Sequence, residues 1–240
     1  MSLFEAGGVC TAYGDCNTEG FRTLDGPVYA QLIADAYGLT LMNCGHTMST
    51  TRELLQFADA FPASASALVL IQYGLVDSWL TFRGAPYILY YPDNPRRKLA
   101  RKLVKKFKKW ARRLQLQKIL GAIEQVPIEE FLSNIRLVVK SAPNTQFVLV
   151  ATAPNLDEPR NPRIMKYNEA LSALAREAVN AVYADAWHEL WEDRDSCLMS
   201  DGTHLTAKGH RLVANSVQRA LAKTLLSEQL AEAGVGRQFE

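Results

Sequence analysis

No stretch of this 240-residue chain comes near the ~18 consecutive apolar residues that a membrane-spanning helix requires. The amino terminus, "MSLFEAGGVCTAY", lacks a basic region and passes through Glu5 straight into an apolar run. It therefore does not read as a signal peptide, and a soluble cytoplasmic protein is expected. Cysteine is scarce. Cys10, Cys16, Cys44 and Cys197 form no C-x-x-C pair, and the four histidines do not fall at ligand spacing from them. Reduced thiols are expected, with neither a disulfide framework nor a structural zinc site. Nucleotide signatures are missing too: there is no G-x-x-x-x-G-K-[ST], and the first apolar run leads into G-D-C-N-T-E-G rather than G-x-G-x-x-G. No bound cofactor or metal is expected.

What is present has an ordinary globular balance, 48% hydrophobic and 22% charged residues with a net charge of +2. Short apolar runs rich in β-branched residues alternate with helical patterns, the signature of a parallel sheet covered by helices. The runs over 7–13, 39–44, 66–73, 146–152 and 181–186 predict strands. Helices are expected near 26–37, 50–60, 97–120, 127–142, 162–179 and 206–228. Thr206 suits the N-cap of the last, because Leu212, Val213, Val217 and Leu221 then repeat along one face. Pro127 suits a helix start, where its missing N–H costs nothing. Without repeats or low-complexity linkers, residues 1–240 read as one domain, with a basic helical insertion at about 80–125.

In open parallel sheets, ligands bind where loops gather at the carboxyl ends of strands. Cys16, Gly45, Asp77, Asn155 and the loop before His204 all follow such ends. Within "DGTH", Asp201 and His204 stand three apart, a spacing that puts a carboxylate beside an imidazole on one helical turn. A general base needs that neighbour, since the carboxylate fixes the ring tautomer and stabilises the imidazolium. Cys16 can supply the nucleophile. Asp15 and Asp77 read as loop carboxylates that hold backbone N–H groups, and His46, His188 and His210 have no partner spacing and read as structural.

"GDCNTEG" and "DGTHLTAKGH" together resemble the SGNH or GDSL-type hydrolases, over roughly Val9 to Leu221. In that family the nucleophile is the serine of a G-D-S motif after the first strand, and the base lies in a late D-x-x-H motif. The resemblance implies a three-layer α/β/α sandwich, flavodoxin-like, around a five-stranded parallel sheet. It implies Cys16 at the serine position, His204 as base oriented by Asp201, and an oxyanion hole from the Cys16 and Gly45 N–H groups. Asp15, Asp77, Val76 and Asn155 then stand as candidates lining the site. "GLVD" at 74–77 occupies the block usually written G-x-N-D, so Val76 replaces an asparagine donor. Loss of one such donor typically costs ~3 kcal/mol of transition-state stabilisation. A thiol at a helix amino terminus beside a histidine is expected to ionise easily. The implied activity is acyl transfer: an ester or thioester hydrolase or acyltransferase, its substrate a small or carrier-bound acyl compound. Cys16 stands either as the native nucleophile or in place of a serine.

Arg96 to Lys118 contains twelve Lys or Arg residues and no Asp or Glu. Leu99, Leu103, Phe107, Trp110 and Leu114 form an apolar stripe along that helix, facing away from most of the charges. The segment suits a solvated helix packed on the domain, an anionic membrane surface, an acidic carrier protein or a mobile lid. Nucleic-acid binding is not expected, because one basic helix without a recognised motif is too little. The reading from another class is a catalytically silent binding module of the same fold, meeting a membrane or acidic partner through this helix.

Overall fold

The computed structural model describes Phe4, Glu5 and residues 7–232. The remaining parts of the expected 1–240 domain lie outside the described residues. In chain order the elements are β1 (Val9–Gly14), α1 (Cys16–Glu19), α2 (Tyr29–Ala36), β2 (Thr40–Gly45), α3 (Thr51–Ala60), β3 (Leu68–Gln72) and β4 (Leu80–Phe82). Next come α4 (Pro95–Arg113), α5 (Leu116–Leu120), β5 (Ala122–Glu124), α6 (Ile128–Ser141), β6 (Gln146–Val150) and α7 (Asn161–Glu177). The series closes with β7 (Ala181–Ala184), α8 (Trp187–Glu192), α9 (Arg194–Cys197) and α10 (Ala207–Glu232).

Five strands form one sheet in the order β2-β1-β3-β6-β7, every pair parallel. This is the doubly wound order expected from the sequence, with β1 flanked by β2 and β3. Alternate residues of each strand serve opposite faces. Leu68, Leu70, Val148 and Val150 pack with Tyr29 and Ile33 of α2 and Val213, Val217 and Leu221 of α10. Val69, Ile71, Phe147 and Leu149 pack instead with Leu54 and Phe57 of α3, Phe131 and Ile135 of α6 and Leu171 of α7. The sheet is thus the middle of three layers.

Local chemistry sets the helix starts. Thr50 and Glu53 form a capping box on α3, with the Thr50 N–H donating to Glu53 Oε2 at 2.8 Å. Thr206 caps α10 by accepting the Gly209 N–H at 3.2 Å, and Pro127 stands at the N-cap of α6. The expected helix over 97–120 is corrected: α4 ends at Arg113, and Gln115, at φ 52°, takes a left-handed conformation before α5 begins. That one backbone reversal breaks the ladder of i to i−4 bonds.

The insertion is tied off at its base. β4 and β5 pair antiparallel, and the flanking Arg83 N–H to Gly121 O and Gln125 N–H to Trp79 O bonds extend the clasp. The enclosed span 83–121 can therefore lie outside the main sheet without disturbing it. Both short strands escape a sequence reading, since three residues carry too little alternation.

Asp77 joins the turn after β3 to the start of α3. Its fully buried carboxylate accepts the Thr51 N–H and Thr51 hydroxyl at 2.9 Å and the Gly74 N–H at 3.2 Å. Burial pushes its pKa up to about 7, against the pull of the Thr51 bonds. An Asp77→Ala variant leaves these donors unpaired in the interior and is expected to lose about 3 kcal/mol of stability. Urea unfolding of the two proteins measures the difference.

Candidate active site

Cys16 is the first residue of α1, at the carboxyl end of β1. Asp15 caps this single turn by accepting the Asn17 N–H at 3.0 Å. The turn sits directly on the strand ends because two glycines let it. A Cβ on Gly14 would lie 1.9 Å from Thr18 Oγ1, and one on Gly45 would lie 2.2 Å from the Glu19 N.

The Asn17 side chain reaches across to the far end of the sequence. Its Nδ2 donates to Thr203 O at 3.2 Å, and its Oδ1 accepts the Leu205 N–H at 3.0 Å. His204 lies between those two contacts. The residue after the candidate nucleophile therefore grips both neighbours of the candidate base. His204 Nδ1 meets Asp201 Oδ2 at 2.5 Å, while Asp201 Oδ1 accepts the Thr203 and His204 N–H groups at 2.9 and 3.0 Å. Burial raises the Asp201 carboxyl, but the hydrogen bonds from His204 and Thr203 outweigh it and hold the group below its ordinary value. The His204 ring stacks on Phe21 with centroids 4.1 Å apart. Asn155 steadies the same turn from the other side, its Nδ2 donating to Thr203 Oγ1 at 3.0 Å.

Cys16 packs with Leu75, Ile164 and Trp187 and is 6% exposed. Burial, then the neighbouring Asp15 carboxylate, push its thiol well above the usual range, although the backbone N–H groups of Cys16 and Asn17 pull the other way. The expectation of an easily ionised thiol is therefore corrected: desolvation outweighs the helix terminus in this pocket. Among the described residues no hydrogen bond joins Cys16 to His204. Cys44 is a free, buried thiol, as are Cys10 and Cys197. His210 is also buried; its Nδ1 accepts the Tyr29 N–H at 3.2 Å, and burial lowers its pKa to about 4.

Gly45 needs a correction as well. Its N–H already donates to Asn43 Oδ1 at 2.9 Å. The loop that follows folds over the end of β1, where Gly14 O accepts both the His46 N–H at 3.0 Å and the Ser49 hydroxyl at 2.9 Å. Within it Met48 has φ 68°, and no acceptor for its N–H exists among the described residues. Asp15, Asp77 and Asn155 are buried and bonded internally, so they brace the site rather than line it. Val76 differs from them. With Met48 it lines one side of a cavity of about 510 Å³, enclosed further by Trp79, Phe82, Tyr87 and the inner face of α4. Leu75 touches Cys16 and the next residue faces this cavity.

Sequence reasoning missed Phe21, Ile164, Leu75 and Trp187, since an apolar residue near a loop carries no sign of what it will touch. Asn17 was legible only as part of "GDCNTEG". No group of His, Cys, Asp or Glu suited to a metal ion occurs among the described residues.

The three-layer sandwich around a five-stranded parallel sheet is the fold of the SGNH-type esterases. The chain belongs to the GDSL-like lipase/acylhydrolase family, whose model matches residues 12–212. No curated protein matches the sequence. Among solved structures it is similar to Axe2, an acetylxylan esterase from Geobacillus stearothermophilus, with TM-score 0.61 and 17% identity over 92% of this chain and 96% of that one. It is similar also to LAE5, an alpha/beta hydrolase enzyme from the metagenome of Lake Arreo, Spain, with TM-score 0.60 and 19% identity over 92% of this chain and 97% of the other.

Burial pushes the Asp15 pKa up to about 7, opposed by the Asn17 N–H and reinforced by Asp77. A carboxyl raised on folding favours the protonated folded state, so its contribution is fully present below the ordinary 3.8 and lost as pH rises towards 7. Relative to an Asp15→Asn variant, which keeps the cap but cannot ionise, the natural protein is expected to lose stability across that window. Thermal unfolding midpoints of both proteins, compared from acid to neutral pH, test the sign.

Proposed function

We propose that this protein is an acyl-transfer enzyme, an ester or thioester hydrolase or acyltransferase, that works through an acyl group on Cys16. The arrangement of Asn17, which holds the turn bearing His204 against the turn bearing Cys16, carries this reading. Because burial keeps the thiol protonated, attack is coupled to proton transfer rather than made by a standing thiolate. His204, held by Asp201, takes the Cys16 proton as sulfur bonds to the carbonyl carbon, then delivers it to the departing alcohol or thiol. Water or an acceptor hydroxyl or amine, deprotonated by the same ring, next breaks the S–acyl bond and frees Cys16. The unpaired N–H of Met48 takes, together with the Cys16 N–H, the oxyanion role first expected of Gly45. The cavity beyond Val76 receives the rest of the substrate.

Catalytic mutants of the Geobacillus esterase replace a serine, an aspartate and a histidine, the last two three positions apart, which is the spacing of Asp201 and His204. Its substrate class supports a small acyl group on a saccharide as the first ester to try. The competing reading is a silent binding module of this fold. The buried, protonated thiol without a bond to His204 favours it.

Incubation with acetyl esters and acetyl thioesters, followed by intact mass, separates the two. An acetyl adduct is expected on the natural protein and absent from Cys16→Ala, and His204→Ala should form it at least about a hundredfold more slowly. If no donor leaves an adduct and no ester is hydrolysed, the enzyme reading fails.

A further inference from the structure

The insertion presents one face of α4 to the domain and the other to solvent. Ala111 is buried, Lys108 Nζ donates to Gln125 Oε1 at 2.9 Å, and Arg101 donates to Leu89 O at 2.8 Å, so the inner face is held in place. The outer face carries the apolar stripe. Leu99, Leu103, Phe107, Trp110 and Leu114 are between 41% and 61% exposed. One position before each stands a cation: Lys98, Lys102, Lys106, Lys109 and Arg113. The two sets share the same spacing of four, four, three and four, so they run side by side as two parallel rows along the helix. Lys98 pairs with Asp93 at 3.1 Å, and the other four cations have no ion pair among the described residues. No carboxylate occurs between Asp93 and Glu124.

We propose that this outer face docks the protein on an anionic phospholipid surface, a role beyond the acyl chemistry and independent of it. The apolar row runs about 22 Å at ~1.5 Å per residue, with Phe and Trp among its side chains, and the cationic row lies beside it. A helix lying in the plane of a bilayer needs this arrangement: aromatic and aliphatic groups among the acyl chains, cations at the headgroup phosphates. A second copy of the chain fits poorly, because twelve cations would face twelve with no carboxylate in either segment. No described helix is long and apolar enough to cross the membrane, so the association is peripheral. The inner face of the same helix walls the cavity that reaches Val76, which docking would bring within about 10 Å of lipid, one helix diameter.

Flotation of the full chain with phosphatidylcholine vesicles, and with phosphatidylcholine vesicles containing phosphatidylserine, tests the assignment. Binding to the anionic vesicles should exceed binding to the neutral ones by at least about tenfold and weaken with salt. Two variants, Phe107→Ser with Trp110→Ser and Lys102→Gln with Lys106→Gln and Lys109→Gln, should each lower it by about tenfold or more while keeping the natural unfolding temperature. Equal partition to both vesicles, no binding, or variants that bind like the natural protein would overturn the proposal. So would a concentration-dependent dimer, dissolved by the Phe107 and Trp110 changes, in a protein that ignores lipid; that result assigns the face to a second copy.

Discussion

Two segments nearly the whole chain apart must meet for this site to exist, and one amide side chain joins them. Asn17 donates to Thr203 and accepts from Leu205. Because its two bonds straddle His204, the position of the imidazole relative to α1 is fixed by a residue that need do no chemistry itself. Asp201 and Asn155 then set the orientation of the turn, through the ring nitrogen and the Thr203 hydroxyl respectively. Buried polar groups of this kind act as a unit, since each bond holds the donor or acceptor of the next in place.

The sheet supplies the platform on which that joint can form. Parallel pairing of β1 with β2 and β3 sends three loops out of the same edge, and Gly14 and Gly45 let α1 lie flat upon it. Asp77 secures the third loop by closing it onto α3. The consequence for chemistry is a site built under tight burial. Desolvation keeps the thiol and the Asp15 carboxyl protonated more readily than they would be in water, so any proton leaving Cys16 needs a specific acceptor.

The insertion follows separate rules. Its ends are clasped by β4 and β5, so its composition is free of the demands of the core. That freedom is visible in α4, which keeps its aliphatic and aromatic row outside and, apart from Lys98 and Arg101 on Asp93, leaves its cations without an ion pair among the described residues, at odds with the usual pattern of an amphipathic helix on a globular domain. The same clasp fixes α4 over Val76 and creates a chamber that the five-stranded sheet alone would not enclose.

Most of the architecture was legible in the residues. Short apolar runs rich in β-branched residues revealed the five parallel strands because a sheet buried on both faces demands continuous apolar runs, and the capping residue Thr206 marked a helix start because orphan N–H groups need local acceptors. Motif spacing likewise joined Asp201 to His204, a pair three residues apart whose contact needs no tertiary fold. What spacing could not reach was anything decided between distant segments: the left-handed Gln115, the two short clasp strands, the stacking of Phe21, and the bond that occupies the Gly45 N–H. The ionisation of Cys16 belongs to that group too, because desolvation is a property of everything packed around a sulfur and is written at no single position in the chain.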